Sequence, residues 1–280
     1  MKISILTIAN KICGYLDIYK KSCKKNNIEI NIIGMNEKWQ GFIWRIKKII
    51  DHIKTLDKND IIVLSDGFDV VLMGYKEELY KKYLAFNKDI VIGIENISGI
   101  KKFFEKRIFK EYKGFNICAG LIIGKVESLI KMYDLIKKQF DLSKFKDDQL
   151  LLTLFLNKNP KFSDKYVGLD TKSELFLNLS CSNLLSSIDN TKELNEKVQC
   201  IDNKRLLNKK YNTKPVFLHG PGNLNLKKYI KHLGYTNIPD IKSLSIKRII
   251  YYTQLLLKNL KITDYIIILL FLAVITKILN

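Results

Sequence analysis

The chain has 280 residues, 47% of them hydrophobic, and a formal net charge of +20, a length and composition that suit one large α/β domain with a short appendage and exclude a disordered chain. Nearly all of the positive charge is lysine, because arginine occurs only at Arg45, Arg107, Arg205 and Arg248. Sequence-specific nucleic-acid readers depend on arginine forks, so this balance points to a solvated basic surface and against a specific nucleic-acid partner.

Ile3 to Ile8 is a short apolar run that predicts a first buried strand, and the N-terminus lacks the long apolar run of a signal peptide. A helical mix follows at Asp17–Lys25, then a second strand from Ile28 to Ile33, stopped by Gly34. Apolar residues at helical spacing from Ile43 to Leu56 lead into the strongest strand of the chain, Asp60–Ser65, which opens directly into Asp66-Gly67-Phe68-Asp69. Helical spacing returns at Lys76–Phe86, a strand at Asp89–Ile94, an apolar strand at Cys118–Gly124, and helices at Ser128–Phe140 and Gln149–Leu156. After a polar, weakly periodic stretch to about Asn212, Pro215–Leu218 predicts a last strand ending at His219-Gly220-Pro221-Gly222. Five cysteines without paired or metal-finger spacing are expected to be reduced thiols, with a cytosolic compartment as the default.

Alternating strands and helices predict a doubly wound, mainly parallel sheet, whose ligands bind beyond the carboxyl ends of the strands. No Gly-x-Gly-x-x-Gly follows the first strand, which counts against a dinucleotide fingerprint. Asp66 and Asp69 stand at the mouth of an apolar strand and can converge on one hard cation; a turn or helix cap is the competing account. His219 could complete such a set, with Gly220 and Gly222 allowing backbone N–H groups to approach an anion; otherwise it is a turn histidine. Asp147 and Asp148 open a helical segment, where they either cap it or orient and deprotonate an acceptor hydroxyl.

The ordered motifs Asp66-Gly-Phe-Asp69, Cys118-Ala-Gly-Leu-Ile-Ile-Gly124, Asp147-Asp148-Gln149, Leu169-Asp170 and Pro215-Val-Phe-Leu-His219-Gly-Pro-Gly222 together resemble the glycosyltransferase domain of the procollagen lysyl hydroxylases. They are similar, more loosely, to collagen galactosyltransferases. The resemblance runs over residues 3–236 and does not extend to the family's hydroxylase part. It implies a GT-A fold, a manganese ion and a UDP-sugar donor, UDP-glucose or UDP-galactose. A hydroxyl acceptor follows from it too, such as hydroxylysine or glycosylated hydroxylysine of a collagen-like protein. By the same resemblance Asp66, Asp69 and His219 are the metal ligands, Thr7, Ile8 and Ala9 meet the uridine, and Phe68 covers the nucleotide. Gly220, Gly222 and Lys227 match the diphosphate grip, although the spacing to Lys227 is about two residues longer than in the family. Cys118 stands where the family has asparagine, Asn116 is the nearest polar substitute, and Trp44 is out of register with a family tryptophan. The Cys118 departure motivates an alternative: a catalytically impaired, membrane-tethered UDP-sugar-binding protein of the same fold.

Tyr265 to Ile275 is the most apolar run of the chain, and with Thr276–Leu279 it would make a helix of ~22 Å at ~1.5 Å per residue, against a hydrocarbon core of ~30 Å. Lysines and Arg248 among apolar residues from Lys242 to Lys261 suit a basic amphipathic helix on anionic headgroups. The expected organisation is therefore a GT-A-like domain over 1–236, a basic amphipathic segment over 237–262, and a C-terminal hydrophobic helix over 263–280. That helix would anchor the chain in a membrane with the catalytic domain on the cytosolic face.

Overall fold

The computed structural model describes residues 1–180, 191–202, 204–222, 224–240 and 254. The first half of the chain forms β1 (Ile3–Ile8), α1 (Leu16–Lys25), β2 (Glu29–Ile33), α2 (Phe42–Ile53), β3 (Ile61–Asp66) and β4 (Val70–Leu72). It continues through α3 (Lys76–Ala85), β5 (Ile90–Ile94), α4 (Gly99–Phe109), β6 (Ile117–Lys125) and α5 (Val126–Gln139). The second half supplies α6 (Asp148–Lys158), α7 (Pro160–Tyr166), β7 (Val167–Asp170), β8 (Phe176–Asn178), α8 (Thr191–Lys197), β9 (Val198–Ile201), β10 (Arg205–Asn208), β11 (Phe217–His219) and α9 (Lys227–His232).

The continuous apolar runs of β1, β3, β5 and β6 become the centre of a six-stranded sheet in the order β2-β1-β3-β6-β5-β7. Their side chains alternate between two layers. Leu6, Ile62, Leu64, Ile92 and Ile122 pack with α2, α5 and α6 on one face. Ile5, Ile61, Val63, Val91 and Ile123 pack on the other face with α1, α3 and a second, three-stranded sheet of order β4-β11-β8. Burial on both faces is why these strands read as unbroken apolar runs and not as alternating ones.

The expected mainly parallel sheet is corrected to a mixed one. β6 runs antiparallel to both β3 and β5, while β1–β2, β1–β3 and β5–β7 are parallel. The chain leaves β5 and enters β6 at the same end of the sheet, where the Glu95 N–H donates to the Asn116 carbonyl. Alternating helices and strands do not encode strand direction. The reversal has a functional result: the start of β6, with Cys118 and Gly120, lies at the carboxyl ends of β3 and β5.

The C-terminal expectation is also corrected. Among the described residues no helix is long and apolar enough to cross a membrane. The 263–280 run, on which the hydrophobic helix, the membrane partner and the cytosolic-face location all depended, lies outside the described residues. The membrane assignment is therefore withdrawn.

Among the described residues before β11, side chains fix the turns around Asp170 and Thr213 in place of periodicity. Asp170, 1% exposed, accepts the backbone N–H groups of Glu174, Leu175 and Phe176 at 2.8–2.9 Å and so fixes the turn into β8. Burial pushes its carboxyl up to about 6 despite those three donors. Thr213 Oγ1 ties the approach to β11 back onto the Lys172 and Ser173 carbonyls. Asp170→Asn would turn an amide NH2 toward one of the three N–H groups and strand a buried donor. Urea unfolding should therefore show a loss of about 1–3 kcal/mol, and an unchanged midpoint would remove Asp170 as the organiser of this turn.

Candidate metal centre

β3 ends at Asp66, and the loop Gly67-Phe68-Asp69 carries the chain across into β4 of the second sheet. There Val70 pairs with His219 of β11, and His219 pairs in turn with Asn178 of β8. The Gly220 N–H donates to the Asp69 carbonyl at 2.9 Å, so backbone bonds tie both ligand-bearing turns together. The result is one group: ligand atoms of Asp66, Asp69 and His219 all lie within 4.8 Å of one another. His219 Nε2 stands 3.5 Å from Asp66 Oδ2 and 3.5 Å from Asp69 Oδ1 and makes no hydrogen bond of its own.

A chain of hydrogen bonds sets the direction of that ring. Asn178 Nδ2 donates to the Ile94 carbonyl at 3.0 Å, which leaves its Oδ1 to face His219 Nδ1 at 2.8 Å. Nδ1 must then carry the proton it donates, and Nε2 faces the two carboxylates, the arrangement that orients a metal-binding histidine. Gly93 makes the chain possible, because a Cβ there would sit 2.5 Å from Asn178 Nδ2. Burial disfavours the imidazolium, yet Asp69, then Cys118 and Asp66, hold His219 well above the usual histidine range. The carboxylates thus draw positive charge to this side of the ring.

A second glycine clears the space in front of the cluster. Between Ile92 and Gly93 the register to β6 slips from Ile122 to Cys118, a bulge that leaves Ala119, Gly120 and Leu121 opposite a single step of β5. Bulges re-aim a strand locally and are over-represented beside active sites. Here a Cβ on Gly120 would lie 2.5 Å from Asp66 Oδ2 and 2.6 Å from His219 Cε1. Two carboxylates and an imidazole whose open nitrogen faces them, beneath a cleared floor, form a donor set that suits Mn2+ or a similar divalent ion.

Around this centre the other predicted residues fall into place unevenly. Thr7, Ile8 and Ala9 end β1 beside the site, Ile8 pairing with Asp66, but the Thr7 hydroxyl is spent on the Ser65 carbonyl at 3.0 Å. Phe68 is held by its carbonyl, which accepts from the Tyr15 N–H at 2.7 Å. Gly220 has given its N–H to Asp69, Gly222 lies in the following turn with φ +77°, and Lys227 Nζ is paired with Asp240. Asp147 caps α6, accepting the Leu150 N–H at 2.8 Å, and burial together with the Asp148 charge raises its carboxyl above the usual range. Asp148 turns to a guanidinium: its Oδ2 is 2.9 Å from Arg45 Nη1.

Cys118, in the position where a polar amide was expected, is buried with Sγ 3.6 Å from His219 Nδ1, and burial raises its thiol despite the histidine. Asn116, the nearest polar residue to that position in the sequence, is buried, and its Nδ2 donates to the Lys110 carbonyl at 3.3 Å. Trp44 sits where its ring would meet a Cβ of Gly34, edge-on to Trp39 at 5.4 Å between ring centroids.

Two residues of the centre were missed in the sequence. Asn178 had no visible signal, lying in a three-residue strand within the weakly periodic stretch. Arg45 had one: an arginine on the apolar face of a helix in a chain that otherwise uses lysine.

Residues 1–239 match the family model described as the PLOD GT domain. Among curated proteins the chain is 26% identical over 251 residues to procollagen-lysine,2-oxoglutarate 5-dioxygenase 1 of Gallus gallus, covering 85% of this chain and 32% of that protein. It is 25% identical over 240 residues to procollagen-lysine,2-oxoglutarate 5-dioxygenase 2 of Homo sapiens, covering 79% and 30%. It is 26% identical over 236 residues to the uncharacterized protein R699 of Acanthamoeba polyphaga mimivirus, covering 78% and 45%. The chain thus spans less than half the length of these relatives.

The cleared floor yields a direct test. Gly120→Ala is compatible with an extended strand but pushes a methyl into Asp66 and His219. Mn2+ binding, followed by paramagnetic resonance of the free ion, should weaken at least ~10-fold in a variant that still melts cooperatively, its metal-free melting temperature lowered by the overpacking. Wild-type affinity in that variant would place the ion elsewhere.

Proposed function

The chain belongs to the family of PLOD glycosyltransferase domains, and from that membership we propose that it transfers a hexose, glucose or galactose, from a UDP-sugar to a hydroxyl acceptor. That it is a glycosyltransferase-type enzyme rests on the family match together with the Asp66–Asp69–His219 group. The single observation that carries the finer reading is this group, with His219 Nε2 turned toward both carboxylates at a strand-end loop.

Asp66, Asp69 and His219 would hold a manganese ion, which when bound neutralises the charge that develops on a leaving diphosphate. Residues 1–236 form the catalytic unit in this reading. Thr7, Ile8 and Ala9 present the end of β1 to the uridine, where the backbone is the available recognition surface. Phe68, its carbonyl pinned by Tyr15, covers the nucleotide. Gly220 and Gly222 shape the turn against the diphosphate, and Lys227 serves it only by leaving Asp240. On the acceptor side, Asp147 is the stronger candidate to take a hydroxyl proton, because burial raises the proton affinity of its carboxylate, while Asp148 is engaged by Arg45.

For the acceptor, one relative bears the name multifunctional procollagen lysine hydroxylase and glycosyltransferase LH3, from Pongo abelii; it is 27% identical over 252 residues, which cover 31% of it. That name supports hydroxylysine, bare or already glycosylated, in a collagen-like protein as the acceptor to try first.

The test is a screen of UDP-glucose, UDP-galactose and other UDP-sugars for donor hydrolysis and transfer to hydroxylysine peptides, with Mn2+ or with a chelator. Turnover is expected with Mn2+ and at least one of the two hexoses, and its persistence in chelator would sink the metal-dependent reading. Asp69→Ala should abolish turnover. His219→Ala should weaken Mn2+ by at least the ~10–100-fold that loss of an outer-shell partner costs, while UDP affinity measured without metal is retained. Unchanged Mn2+ binding in His219→Ala would return that residue to a purely structural turn.

A further inference from the structure

Arg45 lies on the buried face of α2, 5% exposed, among Ile46, Ile49, Ile50 and Ile53. An arginine in such a place must have its charge matched, and two carboxylates match it. Nη2 is 2.8 Å from Asp66 Oδ1 and Nη1 is 2.9 Å from Asp148 Oδ2. Burial works against the charge, but Asp66 and Asp148 more than offset it, so the guanidinium stays cationic. The walls beside the pair are apolar: Leu64, Ala119, Ile122, Leu151 and Leu152, with Tyr133. In such surroundings a charge-assisted bond is stronger and more directional than at the surface.

The two oxygens of Asp66 therefore have separate partners. Oδ1 is taken by Arg45, and Oδ2 faces His219 and the space kept open by Gly120. A carboxylate held by one oxygen presents the other at a fixed angle. The same planar fork holds Asp148, the first residue of α6, so a single side chain sets the metal carboxylate and the acceptor-side helix end against each other. Lysine, a point charge on a flexible stem, cannot grip two carboxylates with two coplanar N–H edges. Arg205 shows the same preference elsewhere in the fold, where its Nη1 and Nη2 hold Glu78 at 2.6 and 3.0 Å.

We propose that Arg45 is a positioning residue that presents Asp66 Oδ2 to the bound divalent ion while holding Asp148 in register with it. The inference rests on the metal-dependent reading of the site but not on the identity of the sugar or acceptor. Its direct readout is Mn2+ binding to the full chain without donor. Arg45→Lys, which keeps the charge, and Arg45→Ala should each weaken Mn2+ binding by about 10-fold or more, the range for loss of an outer-shell partner. Millimolar guanidinium should restore affinity to Arg45→Ala, and equal ammonium should not. With donor present, kcat should fall further than the donor KM rises.

Mn2+ binding within about twofold of wild type in Arg45→Lys overturns the proposal, and so does failure of guanidinium to restore a folded Arg45→Ala. If Arg45→Ala has no melting transition, Arg45→Lys alone decides. Failure of the broader reading looks different, since wild type itself would then bind no Mn2+ or turn over no UDP-sugar.

Discussion

Gathering carboxylates in a partly buried place raises their mutual repulsion, and the architecture of this chain is organised around offsetting it. Asp66, Asp69, Asp147 and Asp148 come from β3, its following loop and the start of α6. At ordinary separations in protein interiors, like charges cost far more than in water. Two groups answer them from buried positions: the Arg45 guanidinium from α2, and the His219 ring from the end of β11, whose Nε2 faces two of the carboxylates. The guanidinium is itself costly to bury, so it would not be tolerated without the carboxylates. The positions of α2, α6 and β11 are thus mutually dependent, and the apolar packing of the two layers delivers the three elements to one place.

Backbone geometry does the finer adjustment. The reversed β6 brings its first residues to the site, and the bulge opposite Ile92 and Gly93 turns Gly120 toward the ligands. Gly93 lets the Asn178 amide lie over the edge of β5, and that amide selects the histidine nitrogen presented to the carboxylates. Two glycines inside strands therefore carry as much of the site as the ligands do.

The sequence made the central features legible where local chemistry was unambiguous. The run from Asp60 to Ser65 is apolar enough to be a buried strand in any context, and a carboxylate at its end has few other uses. Other parts depend on partners far away in the chain. The direction of β6 depends on the chain after β5 returning to the end of the sheet that it left, which no local pattern records. Strands β8 and β11 have three residues each and are fixed by Asp170, Thr213 and the Asn178–His219 bond, so they show little period of their own. The sequence leaves Asp147 open between cap and base; the hydrogen bond it accepts from the Leu150 N–H establishes the cap, and burial leaves the second role available. Arg45 was visible only as an anomaly of composition, because its meaning requires Asp66 and Asp148 to be 21 and 103 positions away yet in contact.

The three candidate ligands are divided between the two sheets. Asp66 belongs to the end of the six-stranded sheet, His219 to the three-stranded one, and Asp69 to the loop that joins them. An ion bound by all three is in effect a cross-link between sheets, the smaller of which is built from strands of only three residues. Binding free energy at such a site adds to local as well as global stability. The short sheet would then be the first part to open when the ion leaves and the last to close before it binds. Slowed hydrogen exchange at the amides of β4 and β11 would accordingly register occupancy of the centre, independent of any reaction.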